Sequence, residues 1–100
     1  MGAIKENFYT ENETNLFYAA RAFAHPARVK ILTELLTERS YRNTDLSKIL
    51  RLSTVAIHNH IEMLKDANMI VISYSMHYYE IRLSTKGEKW SELFNSQKQY

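Results

Sequence analysis

The chain has 100 residues, 45% of them hydrophobic and 24% charged, which sets a single modest domain of a size that often gains stability by dimerising. It contains no cysteine, one proline and two glycines, which excludes disulfides, thiolate metal ligands and cysteine nucleophiles and leaves little room for an all-β fold with many turns. The net charge of +2 is mildly basic, so the placement of charge matters more than its sum, and no apolar run is long enough to span a bilayer.

Residues 1–10 are mixed and polar and are expected to form a flexible arm. The opening Met-Gly-Ala-Ile-Lys-Glu has no hydrophobic signal segment, and Glu6 stands where a myristoylation signal needs Ser or Thr; the expectation is a cytoplasmic protein. Thr10-Glu11-Asn12-Glu13 has capping-box spacing and starts a helix. Leu16, Phe17, Ala20, Phe23 and Ala24 follow on one helical face. His25-Pro26 ends that helix, and Pro26 can open the next, a strongly apolar helix over about 26–38 carrying Val29, Ile31, Leu32, Leu35 and Leu36.

Glu38 to Asn43 reads as a polar connection. Thr44 is the expected N-cap of a short helix over about 45–51 that buries Leu46, Ile49 and Leu50. Ser53 caps a longer helix running to about Asp66, with Ile57, Ile61 and Leu64 as its core stripe. Two helices joined by so short a turn form a helix-turn-helix. Asn68 suits the left-handed residue beyond the helix end.

The period then changes to two. Pairing Ile72 with Tyr79 and Ile70 with Ile81 gathers the large side chains on one face and puts the tip at about Tyr74 to His77. Thr85-Lys86-Gly87-Glu88 repeats the capping-box spacing before a short final helix with Trp90, Leu93 and Phe94. The expected fold is mostly α with a small β-hairpin: about five helices and a two-stranded wing, as one domain over 11–97.

Particular residues in this order resemble the ArsR-type (arsenic-repressor-like) winged helix-turn-helix regulators of bacteria and archaea. Phe23-Ala24-His25-Pro26-Ala27-Arg28-Val29-Lys30-Ile31-Leu32 resembles the family's opening segment. Asp45-Leu46-Ser47-Lys48-Ile49-Leu50-Arg51-Leu52-Ser53 resembles its first motif helix and turn. Val55 to Ile70, with His58-Asn59-His60-Ile61-Glu62 and Leu64-Lys65-Asp66-Ala67, resembles its recognition helix. Leu83-Ser84-Thr85-Lys86-Gly87 resembles the exit from its wing. The resemblance spans about residues 16–94 and implies a DNA-binding fold. It does not extend to metal sensing, for there is no cysteine pair and residues 86–100 hold no histidine. Arg51 stands where the family often has glycine; a positive φ there costs about 1 kcal/mol.

In this motif the N-terminal part of the second helix enters the major groove. Thr54, His58 and Asn59 are then the base-edge candidates, with Val55 placed for a thymine methyl and Ser53 for a phosphate at the helix N-terminus. His77 and Tyr78 near the wing tip are candidates for the backbone or the minor groove, or simply an exposed turn. Arg42, Lys48, Arg51, Lys65 and Arg82 are candidates for phosphate contact, which positions a protein without specifying sequence. His58 and His60 stand two apart and share no helical face, so no metal site is expected. His60 reads as a packing or hydrogen-bonding residue, and so does His25. Leu16 and Phe17, with Trp90, Leu93 and Phe94, read as core or as a dimer interface.

The leading expectation is a dimeric, sequence-specific DNA-binding repressor that reads a palindromic operator in double-stranded DNA, with no cofactor and an unidentified effector if there is one. The alternative is a winged-helix protein-protein interaction module without specific DNA binding, favoured by Glu62 on the outer face and a weakly basic wing. No phosphate loop, nucleophile elbow or zinc-protease pattern points to an enzyme.

Overall fold

The computed structural model describes residues 8–38, 40–76 and 79–97. Helix α1 spans Glu11–Ala22, α2 Pro26–Thr37, α3 Asn43–Leu50, α4 Thr54–Asp66 and α5 Thr85–Gln97. Strands β1 (Tyr41–Arg42), β2 (Ile70–Tyr74) and β3 (Tyr79–Leu83) form one antiparallel sheet in the order β1-β3-β2. Most of the arm expected over 1–10 lies outside the described residues, as do His77 and Tyr78. None of the described helices is long and apolar enough to cross a membrane.

Local chemistry sets the helix ends. The Thr10 hydroxyl accepts from the Glu13 amide at 3.1 Å, and the Glu13 carboxylate accepts from the Thr10 amide at 2.8 Å, a reciprocal cap. At His25 the chain turns extended, and its Nδ1 accepts from the Ala27 amide at 3.0 Å to cap α2 ahead of Pro26. Helix α2 then runs through the middle of the domain, packed against α3, α4, α5 and β3. Its Ile31, Leu32 and Leu35 meet Leu46, Ile57, Ile61, Leu64, Met69 and Ile81 in a single buried core. A fully buried aliphatic side chain contributes roughly 1.5–3 kcal/mol, so this core carries most of the fold's stability.

Several expectations are corrected. The face of α1 that meets the core is Tyr18, Ala19, Ala22 and Phe23; Leu16, Ala20 and Ala24 point to solvent, the helix being rotated from the expected face. Residues 41–42 are a third strand, Tyr41 opposite Ile81, not a plain connection. Helix α3 is capped at Arg42, whose amide donates to the Asp45 carboxylate at 3.0 Å, so it starts before Thr44.

The hairpin register is also two residues longer than expected. Ile72 pairs with Ile81, Ile70 with Leu83 and Tyr74 with Tyr79. The expected register would leave Ser75-Met76 as a two-residue turn, which needs positive φ and hence Gly or Asn. The observed pairing instead ends at Tyr74 and Tyr79, which leaves four residues between the strands. The even shift keeps the same side chains inward, and the Tyr74 and Tyr79 rings meet at 5.9 Å.

The exit from the hairpin is tied back onto the end of α4. Asn68 takes a left-handed φ of 59°, as its position after the helix requires. The carbonyls of the turn are then taken in succession. Lys86 Nζ donates to Ala67, the Ser84 hydroxyl to Asn68 at 2.6 Å, and the Ser84 amide to Met69 at 3.0 Å. Ser84, not Thr85, caps α5, its oxygen accepting from the Gly87 amide at 3.0 Å.

Gly87 sits hard against this turn: a Cβ there would lie 1.9 Å from the Met69 carbonyl oxygen. Gly87→Ala raises helix propensity by about 1 kcal/mol at an exposed site. Here it is expected to destabilise instead, by about 3 kcal/mol, because backbone must move. Urea denaturation measures the sign directly.

Candidate nucleic-acid interface

Helices α3 and α4 pack together across a short turn. The turn reverses at Arg51, which adopts φ 57° and ψ 42°, and the Leu52 amide donates to the Ser47 carbonyl at 3.1 Å. The Ser47 hydroxyl closes the same turn by donating to the Leu52 carbonyl. The positive φ anticipated for Arg51 is therefore present, and a side chain is carried there at a cost.

Ser53 then turns extended and its hydroxyl accepts from the Ala56 amide at 3.1 Å, capping α4. Ile57, Ile61 and Leu64 are fully buried, which fixes the rotation of the helix. Ser53, Thr54, Val55, His58 and Asn59 are left exposed together at its N-terminal end, Val55 with 69% of its surface free. Ile49 of α3 is also partly exposed. The first turn of α4 holds no acidic residue, so nothing opposes an anion at the positive end of the helix. Further along, Glu62 is half-buried and Asp66 exposed.

Arg42, Lys48, Arg51 and Lys65 are exposed cations on α3, α4 and the adjoining turns. Arg82 is placed differently. It stands on the outer face of β3 and, with Leu35, Leu36, Glu80, Glu88 and Glu92 among others, lines a cleft of about 760 Å³ to which α4 contributes nothing. The wing flanks α4: Tyr79 is held above the usual tyrosine range by burial, with Tyr74 and Glu62 of α4 adding to the shift. Its described tip is apolar, Tyr74 and Met76 being exposed.

The dimer candidates divide. Leu16 and Leu93 are 64% and 56% exposed, and Phe17 is partly exposed. Trp90 is half-buried within the chain, its ring 5.2 Å from that of Phe23, so it joins α5 to the end of α1. The side chain of Phe94 lies outside the described residues.

Behind the reading face lies a cluster that sequence spacing did not connect. Arg28 Nε of α2 donates to Nδ1 of His60 on α4 at 3.2 Å, and the His25 and His60 rings stand 4.6 Å apart. Arg28 also donates to the Arg21 carbonyl, and Arg21 Nη2 to Met63 Sδ at 2.9 Å. Burial, then His25 and Arg28, hold His60 below the usual histidine range. Both histidines thus serve as hydrogen-bonding residues, and their link is long-range. No group of three or more possible metal ligands is gathered among the described residues.

The comparisons with known proteins agree with this geometry. The family model described as bacterial regulatory protein, arsR family, matches residues 25–71, from the cap of α2 into β2. The fold is similar to that of HlyU from Vibrio cholerae N16961, at 23% identity and a TM-score of 0.79 over 90% of this chain and 98% of that one. It is similar to NolR from Sinorhizobium fredii, at 20% identity and a TM-score of 0.75 over 97% and 95%. It is also similar to the transcriptional repressor PagR of Bacillus anthracis, at 20% identity and a TM-score of 0.72 over 84% and 97%. No curated protein matches by sequence.

Because Arg51 carries a left-handed backbone, Arg51→Gly should raise stability by roughly 0.5–1 kcal/mol, the relief of strain exceeding the added freedom of the unfolded chain. A thermal melt at fixed pH measures the change. Residues 25–71 thus match the model of the arsR family of bacterial regulatory proteins, and they are set in the winged-helix fold of the solved structures named above.

Proposed function

We propose that this protein is a sequence-specific DNA-binding transcriptional regulator that acts as a dimer on a palindromic operator and represses. The observation that carries the reading is the set Ser53, Thr54, Val55, His58 and Asn59, exposed side by side at the N-terminus of α4 while its opposite side is buried. Asn59 offers the two-point partner that an adenine edge takes, Val55 meets a thymine methyl, and Ser53 with the first turn of α4 holds a phosphate. The exposed cations of α3 and α4 supply backbone contacts, with His77 and Tyr78 as the candidates from the wing, while Arg82, in the cleft, is the least favoured of the set. The similarity in fold to PagR, a transcriptional repressor, supports repression as the direction of control. A regulator working on DNA in this way belongs in the cytoplasm and needs no catalytic machinery.

The surface supports dimerisation. Leu16 and Phe17 of α1 and Leu93 of α5 leave apolar area open at the two chain-terminal helices. Two-fold symmetry would set the two copies of α4 roughly 34 Å apart, one turn of DNA. The interaction-module reading keeps one observation in its favour, the acidic Glu62 and Asp66 on the outer side of α4.

The deciding experiment selects duplexes from a random-sequence pool with the purified protein and titrates the best at low and high salt. A regulator enriches a palindrome and weakens steeply with salt. Failure to enrich any sequence favours the interaction module. With that duplex, Asn59→Ala is expected to lose about 1–3 kcal/mol of affinity with the melting temperature unchanged. Separately, Leu16→Glu combined with Leu93→Glu, both at exposed sites, should shift sedimentation from dimer to monomer; a parent that is already monomeric overturns the dimer.

A further inference from the structure

The site described above depends on the angle at which α4 is presented, and its apolar stripe alone leaves that angle soft. Polar groups reach α4 from α1 and α2 on one side. Arg28 of α2 donates to His60, and the same guanidinium donates to the carbonyl of Arg21 at the end of α1. Arg21 in turn donates to Met63, one turn along α4. His25, which caps α2 through its own Nδ1, lies with its ring against that of His60. His60 directly follows Asn59 on α4, so a change in this contact is delivered to the reading face.

We propose that Arg28 and His60 are positioning residues for DNA recognition: their bridge sets the angle of α4, and it holds only while the His60 imidazole is neutral. Arg28 Nε has only a hydrogen to offer, so Nδ1 of His60 must be an acceptor, with its proton on Nε2. A proton on Nδ1 breaks the bond and sets a second positive charge against the guanidinium. The charged or titratable groups facing His60 are His25 and Arg28 of α2, with Arg21 of α1 beyond Arg28. None of them is an acid that would welcome the proton.

The sign follows. A histidine held below its ordinary range contributes stability that is full above that range and is lost as the pH falls through the folded-state value. DNA recognition therefore carries an acid limb. His58 is exposed on the same face, so it is replaced by Gln throughout the test to leave His60 as the histidine read out on α4.

The inference rests on the regulator reading, and its test separates the two. The histidines of the free dimer are titrated by NMR from about pH 8 to pH 5. The expected result is an unprotonated Nδ1 for His60 at neutral pH, a midpoint below that of histidine in the unfolded chain, and amides of residues 54–59 that shift with that midpoint in a His58→Gln background. Amides that do not follow His60, or a His60 that titrates at or above the unfolded midpoint, overturn the proposal whether or not any DNA binds. In a second arm, affinity for the selected duplex is measured at both ends of the range with His58→Gln present throughout. The background protein should lose about tenfold affinity in acid. Adding His60→Asn, whose Oδ1 still accepts from Arg28 but takes up no proton, should abolish the loss. A parallel loss in both proteins overturns the proposal. Failure to select any duplex counts against the regulator reading, and the first arm still decides the bridge.

Discussion

Everything distinctive about the reading face depends on the burial of Ile57, Ile61 and Leu64 along one side of α4. These three side chains lock the helix in rotation against α2. The opposite side chains are then exposed by geometry, since residues on the other side of a 3.6-residue period have nowhere else to go. The exposed set is also chemically apt. A hydroxyl cap, a threonine, a valine, a histidine and an asparagine carry hydrogen bonds and a methyl contact without a negative charge in the first turn. The large cleft lies elsewhere, among α2, the sheet and α5.

Rotation alone does not hold a helix at a fixed angle, and α4 is tied by polar contacts at its C-terminus and along its flank. At its C-terminus, Ser84 and Lys86 take the carbonyls of residues 67–69, and Gly87 lets α5 press onto Met69. Along its flank, Arg21 and Arg28 reach Met63 and His60 from α1 and α2. The helices α1 and α5, which leave Leu16 and Leu93 open for a second copy, are thus the same helices that steady α4.

Much of this was legible from the residues in order. The capping spacing at Thr10, the His25-Pro26 break, the stripe of α4 and the left-handed Asn68 are local signals with local causes, and each is present as expected. Two things were hidden because they are not local. The pairing of Tyr41 with Ile81 joins segments 40 residues apart, and a two-residue strand has no period to detect. The Arg28 to His60 bond spans 32 residues, so His60 was recognisable as a hydrogen-bonding residue but its partner was not. The hairpin register erred for a third reason: alternation fixes the face, whereas turn chemistry fixes the register, and a tip without glycine needs the longer loop.

The central claim is that the N-terminal half of α4 is the part that touches DNA. Backbone amide shifts of the protein, followed by NMR as the selected duplex is added at moderate salt, test this most directly. The account predicts the largest changes over Ser53 to Asn59, smaller ones in α3 and the wing, and little along the cleft faced by Glu88 and Glu92. Large changes confined to α5 and the cleft, with Thr54 to Asn59 unmoved, would contradict it.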